Sequence, residues 1–129
     1  MVRCWYCGRP AVMKTGDEVY GQPALKERKF WVCDPCGARV GCHPGTEKPL
    51  GELAKEDLRI LRSKAHKIMD RFRDLSGFSR SKAYRFLRES MTMTAEQCHI
   101  GMFNEEQCVE AMKHMLLYTE EVQAVNSNL

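Results

Sequence analysis

Two knuckles, Cys4-Trp-Tyr-Cys7-Gly8 and Cys33-Asp-Pro-Cys36-Gly37, constrain this chain more than any other feature. A CxxC step bends the backbone so that both sulfurs face one point, and two such steps supply four tetrahedral thiolates for one zinc ion. The glycine after each second cysteine can take the left-handed conformation that lets backbone N–H groups approach the sulfurs. The 25 residues between Cys7 and Cys33 are enough for a hairpin that brings the knuckles together. Four sulfurs leave no open coordination position, so the ion is expected to be structural and not catalytic. In isolated zinc-finger peptides such binding contributes roughly 10–16 kcal/mol, and the ribbon is expected to collapse without metal.

The chain has 129 residues, enough for one compact domain or a small domain with a metal-stapled annex. With 43% hydrophobic residues a modest core is available and wholesale disorder is not expected. Seven cysteines is an odd number, which in a chain with two close CxxC pairs favours metal over disulfides. No apolar run reaches the length of a membrane span. The N-terminus, Met-Val-Arg-Cys-Trp-Tyr-Cys, lacks the apolar core of a secretory signal, and a cytoplasmic protein is expected.

Residues 1–50 read as a zinc-ribbon domain with a turn-rich connector, and residues 51–129 as a helical domain. Short β segments are predicted at Ala11–Lys14, Glu18–Tyr20 and Lys29–Val32, with glycines as punctuation. Gly41–Gly51 carries three glycines and two prolines and forms the connector. The first helix is predicted from Lys55 to Leu75, with an apolar stripe of Leu58, Leu61, Ala65, Ile68, Met69, Phe72 and Leu75, stopped by Gly77. Ser79 is the expected N-cap of a second helix from Arg80 to Met91. Thr94 with Gln97, and Asn104 with Gln107, resemble capping boxes. The former opens a short turn ended by Gly101; the latter opens a helix from Glu105 to Glu120 with Cys108, Val109, Met112, Met115 and Leu116 on one face. The expected class is α+β, a Cys4 zinc ribbon followed by a small three- to four-helix bundle.

Net charge is +3, but its distribution is uneven. Residues 51–90 hold eleven Lys/Arg against six Asp/Glu, while residues 91–129 hold only Lys113 against six glutamates. A cationic middle attracts phosphates or acidic protein surfaces. On the first helix Lys55, Arg59, Arg62, His66 and Arg73 project within about 40° of one line, a row that can follow a phosphate backbone. On the second, Lys82, Arg85 and Arg88 cover an adjacent polar face. Trp5 and Tyr6 sit at the tip of the first knuckle among Arg3, Arg9 and Lys14, where one ring can stack on an exposed base.

Two further sequences echo one another, Cys42-His43-Pro44-Gly45 and Cys98-His99-Ile100-Gly101. With His66 and Asp70 they offer ligand types for a second metal, or a thiolate activated by imidazole. Against this, adjacent residues rarely chelate one ion, and no oxyanion hole is identifiable; buried structural cysteines are the simpler reading.

The ordered set CWYCG, WVCDPCGARVGCHPGT, PLGELA, LRxLRxxAH, SRxxAYxFL and HIGMF with EEQC resembles the zinc-finger-containing domain family of phages, prophages and bacteria. The resemblance implies a zinc ribbon leading into helices, often phage-encoded, and lends no activity and no catalytic role to His43 or His99. Together these readings point to a non-enzymatic zinc-ribbon protein that binds DNA or RNA through its basic helical face. The alternative is an adaptor or inhibitor that binds host transcription, replication or defence machinery through the acidic last helix or the methionines from Met91 to Met115.

Overall fold

A computed structural model describes the backbone of residues 1–127 and the side chains of residues 1–121; residues 128–129 of the expected helical domain lie outside the described residues. The chain divides into two compact units, residues 1–59 and 60–129. The boundary falls past the turn-rich connector because residues 51–54 stay tied to the sheet, Arg39 and Ala54 exchanging both backbone hydrogen bonds at 3.0 Å.

In the first unit, β1 (Val12–Thr15), β2 (Lys29–Cys33) and β3 (Ala38–Gly41) form an antiparallel sheet in the order β1-β2-β3. Val12 faces Val32 across the first pair, and Cys33 faces Ala38 across the second. The connector continues this ladder: Cys42 N–H donates to Lys29 O, and Leu50 N–H to Gly41 O. Its tip, His43-Pro44-Gly45-Thr46, is a tight turn in which Thr46 N–H donates to His43 O and Gly45 has φ 73°. β3 was absent from the sequence reading because four residues of Ala-Arg-Val-Gly carry too little alternation to register as a strand.

The predicted strand over Glu18–Tyr20 is corrected: the segment is a short helix, α1 (Gly16–Tyr20). Local capping outweighs the β preference of Val19 and Tyr20. Glu18 Oε1 accepts the Thr15 N–H at 3.1 Å, and Gly21, with φ 68°, closes the last turn by donating to Asp17 O. Gly16 is the hinge between β1 and α1. A Cβ there would stand 2.1 Å from Leu25 O, so only glycine fits against that backbone.

In the second unit, α2 (Glu56–Ser76, its first turn in unit one), α3 (Arg80–Met91) and α4 (Glu105–Ser127) follow the predicted starts closely. Gly77 takes φ 75° and returns its N–H to Arg73 O, ending α2. Ser79 Oγ accepts the Lys82 N–H at 3.1 Å. Both proposed boxes close reciprocally, Thr94 with Gln97 and Asn104 with Gln107.

Two apolar stripes differ from expectation. On α2 the buried positions are Leu58, Arg62, Ala65, Met69 and Phe72, while Leu75 is exposed. On α4 they are Cys108, Ala111, Met115 and Thr119, with Val109 and Leu116 exposed. Both advance by steps of three or four residues, the narrow seam of a closely packed helix, and the expected faces are wider than the buried ones. Thr119 is tolerated there because its hydroxyl donates to Met115 O at 2.9 Å. Behind these stripes Phe72, Phe78, Phe86 and Tyr118 form an aromatic cluster with ring centroids 5.1–5.6 Å apart.

Candidate metal centre and basic faces

The sulfurs of Cys4, Cys7, Cys33 and Cys36 all lie within 4.8 Å of one another, with Cys7 and Cys33 at 3.6 Å. Four sulfurs each about 2.3 Å from a tetrahedral zinc stand about 3.8 Å apart, so the cluster fits one zinc ion with little movement. Each knuckle is a tight turn. Gly8 N–H donates to Cys4 O at 2.7 Å and Gly37 N–H to Cys33 O at 2.9 Å, with φ of 76° and 69°. No atom lies within 4 Å of where either glycine's Cβ would be, so the left-handed backbone, not crowding, selects glycine there. The core beneath is Cys4, Cys33, Ala38 and Leu53, ringed by Val2, Ala11, Trp31, Cys36 and Val40.

Backbone donors already address these sulfurs. The Arg9 N–H, first, and then the neighbouring thiols bring Cys7 down to about 6, against the pull of burial. Cys36 is pushed up to about 12, first by its hydrogen bond to Cys7 and then by burial. Zinc binds thiolates, so binding displaces the protons that Cys33 and Cys36 carry, and metal affinity rises with pH.

Tyr6, 39% exposed, is anchored to the ribbon by its hydroxyl. Its hydroxyl accepts the Lys55 N–H at 3.2 Å, Lys55 Nζ stands 4.6 Å from its ring centroid, and Trp5 meets it edge-on at 6.0 Å. Trp5 is 40% exposed. Trp31 is engaged elsewhere, its indole donating to Glu47 O at 2.7 Å.

The basic row of α2 is broken, which corrects one expectation. Arg62 is buried at 8% exposure, and its Nε donates to Phe103 O at 3.0 Å. The step Leu58, Arg62, Ala65, Met69, Phe72 runs along the apolar seam itself, so Arg62 belongs to the core and not to a phosphate-following face. Arg73 Nε caps the end of α2 through Phe78 O, and Arg59 Nη1 donates to Ala54 O. Burial, and then the charge of Arg39, pulls Arg59 below its ordinary value. Arg62→Ala should therefore lower stability by about 2 kcal/mol, the scale of a buried charge-assisted hydrogen bond. Urea unfolding would reveal it, while a salt-titrated binding curve should keep its slope.

The cations of α3 stand differently. Lys82 and Arg85 are exposed and Arg88 is half-buried. Among the described residues none of the three pairs with a carboxylate, the ion pairs being Lys14–Asp34, Lys29–Glu47 and Glu110–His114. Glu89, four residues after Arg85, forms no ion pair with it. Lys82 Nζ instead rests 4.5 Å from the centroid of Phe78.

The Cys-His pairs do not assemble a second centre. Among the described residues the four ribbon cysteines are the one group of histidine, cysteine or carboxylate ligands close enough to share an ion; Cys42, His43, His66, Cys98 and His99 form none. Burial pushes the Cys42, Cys98 and Cys108 thiols up, so all three are protonated and poor nucleophiles near neutrality. His43, His66 and His99 are exposed. What the sequence reading missed is Arg80 with Tyr84. Arg80, Ser81, Tyr84 and Arg88 share one face at helical spacing, but that spacing alone does not distinguish a lined cavity from an ordinary solvated face.

Among the described residues no helix is long and apolar enough to cross a membrane. No curated protein and no solved structure matches the chain. A zinc-finger-containing domain model matches residues 1–118, spanning both knuckles, α2, α3 and more than half of α4. With its four-cysteine cluster in place to hold one zinc ion, the chain belongs to this family of zinc-finger-containing domains.

Proposed function

We propose that the protein is a non-enzymatic, phage- or prophage-encoded cytoplasmic factor that binds DNA or RNA through the exposed face of α3. The observation that carries this reading is the set Lys82, Arg85 and Arg88, cations on one helix without carboxylate partners among the described residues. Unpaired surface cations attract a phosphate backbone and release its counterions, whereas cations in local ion pairs contribute little. The contacts are with backbone and not sequence: the face carries cations and none of the Asn or Gln side chains that read adenine edges. The zinc has a structural part, holding the ribbon together. The test is a salt titration of binding to a single-stranded oligonucleotide. The double variant Lys82→Ala/Arg85→Ala should flatten the slope of log affinity against log salt by about 1.5, one counterion step per lost contact. An unchanged slope removes α3 as the interface.

A second reading rests on α4, where Val109 is 53%, Leu116 44% and Leu117 52% exposed beside Glu105, Glu106 and Glu110. An apolar strip edged by acids suits a protein partner, such as a component of host transcription, replication or defence machinery. Capture of one defined protein from nuclease-treated lysate, lost in Val109→Lys/Leu116→Lys, supports it over the nucleic-acid reading.

A further inference from the structure

In the second unit α3 and the segment 95–99 border an open cavity of about 280 Å³ lined by Arg80, Ser81, Tyr84, Arg88, Cys98 and His99. Two arginines line it and no carboxylate does. Among the described residues neither Arg80 nor Arg88 has an ion-pair partner. Arg80 is held in place: its guanidinium lies 5.1 Å from the Tyr84 ring centroid, and the Tyr84 ring lies 5.8 Å from that of His99. The Cys98 thiol points at Tyr84 O, 3.9 Å away, and closes the floor. The Tyr84 phenol stays protonated, its burial pushing it up against the opposing pull of the Ile100 N–H and Arg80.

We infer that this cavity binds a phosphomonoester, the terminal phosphate of a nucleic-acid strand. The inference deepens the nucleic-acid reading above and takes from it the identity of the strand. Charge selects the monoester. Arg80 and Arg88 together offer a charge of +2, which a terminal phosphate of about −1.5 to −2 matches and an internal phosphodiester of −1 does not. Size agrees, for about 280 Å³ falls just below the usual range of ligand pockets and suits a phosphate group with little else inside. Ser81 adds a hydroxyl donor, and the first turn of α3 adds the positive end of a helix dipole. The exposed His99 ring supplies a stacking surface for the attached base. Lys82 and Arg85, farther round the helix, then meet the internal phosphates that follow, so a strand enters the pocket by its end and continues along α3.

The experiment uses the full zinc-loaded chain and single-stranded ten-nucleotide oligomers that differ only in carrying a phosphate or a hydroxyl at one end, with AMP as the free monoester. The phosphorylated oligomer should bind about tenfold more tightly or better, the scale of one charge-assisted contact. Arg80→Gln should erase that preference while leaving the hydroxyl-ended oligomer bound as before, and His99→Ala should weaken both AMP and the phosphorylated end. AMP should shift the His99 ring resonances in the native protein and not in Arg80→Gln, which remains folded if its remaining spectrum is unchanged. Equal binding of the two oligomers, still dependent on Lys82 and Arg85, overturns the pocket and leaves the proposed function standing. Perturbation by AMP without binding of any oligomer supports the pocket as a site for free phosphomonoesters and overturns the strand. No response to either overturns both readings.

Discussion

Removing zinc with a strong chelator is expected to unfold residues 1–54, erasing the dispersed strand resonances of Val12–Thr15, Lys29–Cys33 and Ala38–Gly41. The ribbon's own core cannot hold it. Of the six buried apolar residues in this stretch two, Cys4 and Cys33, are metal ligands, and the others are Val32, Ala38, Leu53 and Ala54. Burial of that small set falls well short of the conformational entropy of ordering some fifty residues at about 1–2 kcal/mol each in backbone alone. Metal binding of roughly 10–16 kcal/mol is the term that closes the gap. The Lys14–Asp34 pair, at 2.9 Å between first strand and second knuckle, lies in solvent and adds little. Cys33→Ser should abolish stoichiometric zinc, whereas Cys42→Ser and Cys98→Ala should each retain one ion per chain by elemental analysis. A chelated protein with its strand resonances intact would contradict the assignment.

Phe72→Ala should be the most damaging apolar truncation in the helical unit, costing about 3–5 kcal/mol in urea unfolding. Its ring is 1% exposed and meets Phe78, Phe86 and Tyr118 at 5.1–5.5 Å, two of the three contacts edge-to-face. Removing it takes away the ring that the other three share, and aromatic pairs contribute beyond their buried area. Leu75→Ala, one turn on but 41% exposed, should change stability by no more than about 0.5 kcal/mol. The contrast tests the seam: a wide stripe would make both residues costly, a narrow one only the first.

The metal centre was legible because its chemistry is written in adjacent residues. Cysteine pairs separated by two residues with a glycine behind leave few alternatives, and the left-handed Gly8 and Gly37 follow from the same constraint. Helix starts were legible for a related reason, Ser79, Thr94 and Asn104 each making its cap from within one turn. What failed needed tertiary information. Glu18–Tyr20 has strand-forming residues, yet Thr15 and Gly21 bracket a single helical turn that the eye passes over. Arg62 looks like every other surface arginine until Phe103, forty-one residues away, presents a carbonyl to it. Arg80 and Tyr84 drew no attention because a cavity is a property of packed elements and not of a motif. The basic face of α3, by contrast, follows from spacing alone, since nothing among the described residues covers Lys82 or Arg85.

The four metal ligands are unequally sheltered: Cys4 and Cys33 are buried, Cys36 is half-covered and Cys7 faces solvent. The outer sulfur is consequently the one that reagents in solvent meet first. A thiol-blocking reagent added to metal-free protein is expected to modify Cys7 ahead of Cys36, and both ahead of Cys4 and Cys33.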